Sequence, residues 1–172
     1  SGIVGSEMFI RDRSRIVSSL KKLEYRGYDS AGIATLTNGK INEVKCEGRV
    51  DTLEKNIIQT SLSGSIGIGH VRWATHGKPS VVNAHPHSSE NVSVVHNGII
   101  ENSDDLKKEL ETRGLKFKSQ TDTEVITLLI TEALKNSEPL DSVFKTLKKL
   151  KGSFALGIIS VSYTHLTLPT KA

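Results

Sequence analysis

The chain has a single cysteine, Cys46, among 172 residues. No disulfide can therefore form within it, and zinc sites built from several thiolates are excluded. A lone thiol fits a reducing compartment, which sets a cytoplasmic expectation. Aromatic residues make up only 5% of the chain, too few to build a stacking platform for nucleic-acid bases. No apolar run approaches the roughly 20 residues that span a bilayer; the longest lies around Ile126–Ile130. The first ten positions show no basic segment followed by an apolar one, so no signal peptide is expected. Neither sign of charge dominates: 23 Lys and Arg stand against 19 Asp and Glu, a net +4. Lys148, Lys149 and Lys151 read as a solvated helix face rather than a nucleic-acid patch. Neither a nucleic acid nor a membrane is an expected partner.

What is present is a hydrophobic share of 36% in recurring apolar runs, enough for the packed core of one domain. Strands are expected at Gly2–Gly5, Ala31–Leu36, Ile41–Glu47, Ser65–His70, Val92–His96 and Ser153–Val161. Asn38-Gly39 between the second and third is a hairpin turn signal. Helices are expected over Asp12–Lys22, from Asp51 to Ile58, and from a cap at Asn102 through Arg113, with Gly114 as the stop. Thr121 and Glu124 have the spacing of a capping box for a helix bearing Val125, Ile126, Leu129 and Ile130. Pro139 suits the first turn of a last helix. The order is not a regular βα alternation and contains no internal repeat. An antiparallel sheet covered by helices, the α+β class, follows. Residues 162–172 break the pattern after an apolar strand and read as a tail foreign to a domain covering 1–161.

The segment Gly69–Glu101 concentrates special chemistry. It holds His70, His76, His85, His87, His96, Arg72 and the only tryptophan, Trp73. It looks too polar for core and is expected to be a functional irregular segment. Three kinds of site compete. The histidines invite a metal, but no HExxH is present and Glu90 is the only carboxylate nearby. Arg72 suits either a carboxylate clamp or a surface ion pair. Asn97-Gly98 suits an oxyanion hole or a simple tight turn. Asp122, at the start of a helix, is either a dipole-favoured acid or the receiver of a ligand ammonium. Arg72 and Asp122 together would suit the two ends of a zwitterion.

Six blocks, in order, resemble one family: SGIVG at 1–5, EYRGYDSAG at 24–32, GHVRWATHGKP at 69–79, NAHPH at 83–87, VHNGIIEN at 95–102 and TDTEV at 121–125. They look like the class II glutamine amidotransferase domain, in the branch that passes ammonia to fructose 6-phosphate. The resemblance implies a four-layer α-β-β-α sandwich of the N-terminal-nucleophile (Ntn) hydrolase type. It implies hydrolysis of the glutamine side-chain amide to glutamate and ammonia, with no cofactor and no metal. Residue 1 would be the nucleophile and its own α-amino group the base. Such an amine has a pKa of about 7.7–8.0, close to working pH. By the same resemblance Arg72 holds the glutamine α-carboxylate and Asp122 the α-ammonium. Trp73, Thr75 and His76 line the pocket, and Asn97 and Gly98 form the oxyanion hole. Arg26 orders the nucleophile, and His85 supports the pocket.

The chain departs from the family pattern in two ways. The family has Cys at residue 1, and this chain has Ser1. A thiol is partly ionised at neutral pH and a hydroxyl is not, so slow turnover or a silent glutamine-binding module is expected. The family domain also runs on past residue 161 and is joined to a sugar-phosphate isomerase domain. Fructose 6-phosphate would be reached only through that domain, in homo-oligomeric full-length members. An incomplete sandwich with open sheet edges is the expectation here. A metal-dependent hydrolase using the histidines is the other reading.

Overall fold

A computed structural model of the chain describes residues 2–4, 13–73, 78–161 and 163–171. The described elements run β1 Gly2–Val4, α1 Arg13–Leu23, a 3-10 turn Glu24–Arg26, β2 Ser30–Thr37, β3 Lys40–Glu47, α2 Val50–Gln59 and β4 Ile66–Arg72. They continue with β5 His87–Ser88, β6 Val92–Gly98, α3 Ser103–Thr112, α4 Asp122–Leu134, α5 Pro139–Leu147, β7 Phe154–Ser160 and β8 Tyr163–Lys171. Two four-stranded sheets result, ordered β1-β4-β2-β3 and β5-β6-β7-β8. All described pairings are antiparallel.

The alternation of side chains along each strand builds the layers. In β2, Ala31 and Ile33 face one way and join Ile16, Val17 and Leu20 of α1 and Val50, Leu53 and Ile57 of α2. Ala34 and Leu36 face the other way and meet Ile68, together with Val95 and Ile159 of the second sheet. That second sheet turns Val92, Val94, Leu156 and Ile158 to a third cluster with Leu106, Leu110, Ile126 and Ile130 of α3 and α4. Helices, sheet, sheet and helices therefore stack as α-β-β-α. Strands buried on both faces read as continuous apolar runs, and β2 is buried along all but its last residue.

Local signals hold where a backbone requirement sets them. Asn38 and Gly39 have φ of 49° and 72°, the left-handed pair that a two-residue hairpin needs, and they join β2 to β3. Pro139 stands at the start of α5, where its missing N–H costs nothing. The capping expectations fail in an instructive way. Asn102 and Thr121 do precede α3 and α4, but neither side chain caps its helix. The Asn102 amide instead donates to the Lys149 carbonyl and accepts from the Lys151 N–H, both at 2.9 Å. Thr121 turns to His87. Glu124 accepts from the backbone N–H groups of Lys118 at 2.9 Å and Ser119 at 2.6 Å. For Asn102 and Thr121 distant partners outcompete the local one, and Glu124 serves the turn ahead of its helix in place of the Thr121 N–H.

Beyond the expected elements stand the 3-10 turn, the two-residue β5 and β8. The backbone of β8 lies along β7, with register irregularities at Phe154/Leu156 and Ile158/Ser160.

Candidate functional site

The segment Gly69–Glu101 is not a polar loop. It contributes β4, β5 and β6, and His70, Arg72, His85, His87 and His96 are all buried. Period-2 geometry explains the placement. Ile68, His70 and Arg72 share a face of β4, and that face looks toward the second sheet rather than toward α1. On β6, His96 shares the face of Val92 and Val94, toward α4, while Asn97 shares that of Val95, toward the first sheet.

The intervening loop is tied down at both sides. Lys45 of β3 donates to the Ala84 carbonyl at 3.2 Å. The Asn83 side chain donates to the Lys78 carbonyl and accepts from the Gln120 N–H, each at 2.9 Å. Two sheets and the start of α4 therefore converge at one place. There an open pocket of about 200 Å³ is lined by His70, Arg72, Trp73, His85, His96, Asn97, Gly98, Ile99, Thr121 and Asp122.

Six of the residues singled out in the sequence meet here: Arg72, Trp73, His85, Asn97, Gly98 and Asp122. Arg26 does not line the pocket. It ends the 3-10 turn, exposed, with its guanidinium 5.9 Å from the centroid of the Tyr25 ring. Ser1, Thr75 and His76 lie outside the described residues.

The two charged groups are both oriented. Arg72 Nη1 lies 3.5 Å from the Asp29 carboxylate, and the Asp29 N–H donates to the Arg72 carbonyl at 2.9 Å. Asp29 escaped the sequence reading, although it sits within the EYRGYDSAG block. Asp122 opens α4 and accepts from the Ile100 N–H at 3.0 Å. Its other oxygen lies 3.5 Å from His96 Nδ1. A fixed cation and a fixed anion in one pocket fit a small ligand that carries both charges. Trp73, 59% exposed, and Ile99 form an apolar lip.

The histidines pack as a cluster. The rings of His70 and His85 have centroids 4.6 Å apart, and those of His85 and His87 lie 5.1 Å apart, edge to face. Threonines bond three of the rings. Thr121 Oγ1 is 2.8 Å from His87 Nε2, and Thr123 Oγ1 is 2.5 Å from His85 Nε2 and 3.1 Å from His96 Nδ1. Burial first, and the neighbouring His96 and Arg72 after it, push the His70 pKa down to about 3. Burial, then Lys45 and Arg72, push His87 down to about 3, against the pull of Asp122. His85 is driven well below its ordinary value by burial and then by the surrounding histidines. These imidazoles are neutral. Among the described residues no group of three or more His, Cys, Asp or Glu side chains is arranged to hold a metal. Cys46 lies in the core between the first sheet and its helices, where burial raises its pKa. That is the opposite of an activated thiol.

Gly98 carries two requirements. Its φ is +131°, and a Cβ there would run into the Ser153 carbonyl and, at 2.7 Å, the Phe154 Cα. Gly98→Ala is expected to cost about 2 kcal/mol or more of stability, read as a lowered urea midpoint. A substitution cost near zero would mean that β6 does not end against β7 in this way.

The glutamine amidotransferase domain model matches residues 74–169, more than half of the chain, and the chain belongs to that family. Its α-β-β-α sandwich is that of the Ntn hydrolases. Among solved structures, the glutamine phosphoribosylpyrophosphate amidotransferase of B. subtilis superposes with a TM-score of 0.74 at 31% identity, over 92% of this chain and 34% of that one. A structure described as the allosteric regulatory enzyme of purine biosynthesis gives 0.75 at 30%, with the same coverage. Among curated proteins, a glutamine–fructose-6-phosphate aminotransferase (isomerizing) of Clostridium acetobutylicum is 53% identical over 161 residues, 92% of this chain and 26% of the relative. A protein of that description from Zymomonas mobilis is 48% identical over 168 residues, 97% of this chain and 27% of the relative. The chain thus spans about a quarter of the length of the curated relatives it matches.

Proposed function

We propose that the chain is a glutaminase domain: it binds glutamine and releases ammonia from the side-chain amide, in the service of fructose 6-phosphate amination by a longer cytoplasmic, homo-oligomeric enzyme. The observation that carries this reading is the pairing of Arg72 and Asp122, opposite charges on two different layers, in one pocket with Asn97 and Gly98. Arg72 takes the α-carboxylate with its planar fork. Asp122 takes the α-ammonium. The amide then extends toward Asn97-Gly98, whose donors stabilise the oxyanion as the carbonyl carbon becomes tetrahedral. Trp73 and His85 line the pocket, and the family resemblance assigns glutamine contacts to Thr75 and His76 and the ordering of the nucleophile to Arg26.

Ser1 is the attacking group and its α-amine takes the proton. The Ser1 oxygen bonds to the amide carbon, ammonia leaves with the proton, and water then cleaves the ester to give glutamate. A neutral hydroxyl is a poorer nucleophile than a partly ionised thiol. Ammonia release from glutamine is therefore expected to be slow in this chain and to rise by at least about a hundredfold in Ser1→Cys. A coupled ammonia assay on both proteins tests this. Glutamine binding without ammonia from either protein would leave a binding module and sink the enzyme reading.

A further inference from the structure

Thr123 is fully buried and belongs to none of the roles assigned above. Its hydroxyl nevertheless touches two histidines from two other elements. His85 lies in the loop tied across the first sheet, and His96 lies in β6. The next residue after His96 is Asn97, and the residue before Thr123 is Asp122. One oxygen atom therefore joins the neighbours of both ends of the proposed glutamine site.

A hydroxyl has a single hydrogen, so it can donate to only one of the two rings and must accept from the other. The direction follows from the carboxylate. Asp122 Oδ1 lies 3.5 Å from His96 Nδ1, and an ionised carboxylate only accepts. The carboxylate beside it favours a hydrogen on His96 Nδ1, and that hydrogen is directed to Thr123 Oγ1, 3.1 Å away. Thr123 is left to donate to His85 Nε2 at 2.5 Å. A neutral His85 that accepts at Nε2 holds its own hydrogen on Nδ1. The contacts run Asp122, His96, Thr123, His85, and this assignment gives each hydrogen one direction.

We propose that Thr123 is a positioning residue, which fixes His85 and His96 in their Nδ1–H tautomers and thereby holds Asn97 and Asp122 in register across the pocket. The role rests on the glutamine-binding reading, but the tautomers do not. The histidines stand out in the sequence by their number, and the TDTEV block by its Asp122. Thr123 hides between them because its partners are 38 and 27 residues away.

The test uses the 172-residue chain labelled with 15N. Long-range 15N–1H correlations separate a bare ring nitrogen from a protonated one. The expected spectra show Nδ1 protonated and Nε2 bare in both His85 and His96. Thr123→Val keeps the shape and removes the hydroxyl. It is expected to leave His85 as a tautomer mixture, to move the amide signals of Asn97 and Asp122 together, and to weaken glutamine binding by about tenfold. Thr123→Ser restores all three. A hydrogen on His96 Nε2 in the unsubstituted chain overturns the proposal, and that measurement stands even where Thr123→Val does not fold. Unmoved Asn97 and Asp122 amides in a folded Thr123→Val also overturn it. Absence of glutamine binding to the unsubstituted chain would count against the glutaminase reading, while the tautomers and amide signals still decide Thr123.

Discussion

Arg72→Met is expected to weaken glutamine binding to the 172-residue chain by at least about a hundredfold in a calorimetric titration. Two effects add. The planar guanidinium fork proposed for the α-carboxylate is gone, and so is the cation that balances Asp122 across the pocket. The native fold also suffers, because Asp29 faces Arg72 Nη1 at 3.5 Å from a largely buried position. The same carboxylate also accepts from Ser30 Oγ at 2.7 Å. Removing the cation that faces that carboxylate costs about 1–3 kcal/mol, visible as a lowered urea midpoint. Arg72→Lys keeps the charge and loses the fork, so it should fall between the parent and Arg72→Met in affinity. The two losses separate in Asp29→Asn, which removes that carboxylate and leaves the clamp. Binding by Arg72→Met within threefold of the parent would show that Arg72 is only a partner of Asp29.

The fold was legible wherever a strand or turn declares itself through its own backbone. The Asn38-Gly39 turn, the runs that became β2, β4, β6 and β7, and Pro139 at the head of α5 are local facts. Side chains that choose distant partners were not legible. Asn102, Thr121 and Glu124 have capping spacing, yet Asn102 and Thr121 are drawn to distant segments and Glu124 to the turn just before its helix. The candidate site shows the same division. Arg72, Asn97, Gly98 and Asp122 stood out by chemistry and by resemblance to a family, and the fold brings them to one pocket. The histidines misled, because polarity along a segment was taken for exposure. Alternate positions of β4 and β6 instead carry His70 and His96 into the interior, where the Thr123 hydroxyl, hidden in an apolar helix pattern, meets His96. Asp29 was invisible for a similar reason: its meaning comes from β2 pairing beside β4, which puts Ser30 opposite Arg72.

Burial of those imidazoles makes the fold sensitive to mild acid. An unfolded histidine titrates at its ordinary 6.5, whereas His70 and His87 in the fold hold out to about 3. Between those limits the unfolded chain binds protons that the native chain refuses, so stability rises with pH. The contribution is complete above about pH 6.5 and is lost as the pH falls toward 3. Each histidine removes about 1.4 kcal/mol per pH unit across that window. His70 and His87 together remove about 5 kcal/mol by pH 4.5, and His85 acts in the same direction. A domain commonly has only about 5–15 kcal/mol to lose, so unfolding near pH 4.5 is expected before most carboxylates have titrated. The cluster sharpens this, since a proton on any one ring would repel a proton on the next, and no member escapes by charging first. Urea unfolding measured from pH 8 to pH 4 reads the slope directly. His87→Gln should remove about one proton from it. A free energy of unfolding that stays level between pH 7 and pH 5 would mean that the imidazoles are open to water, and the packed histidine floor of the pocket would have to be abandoned.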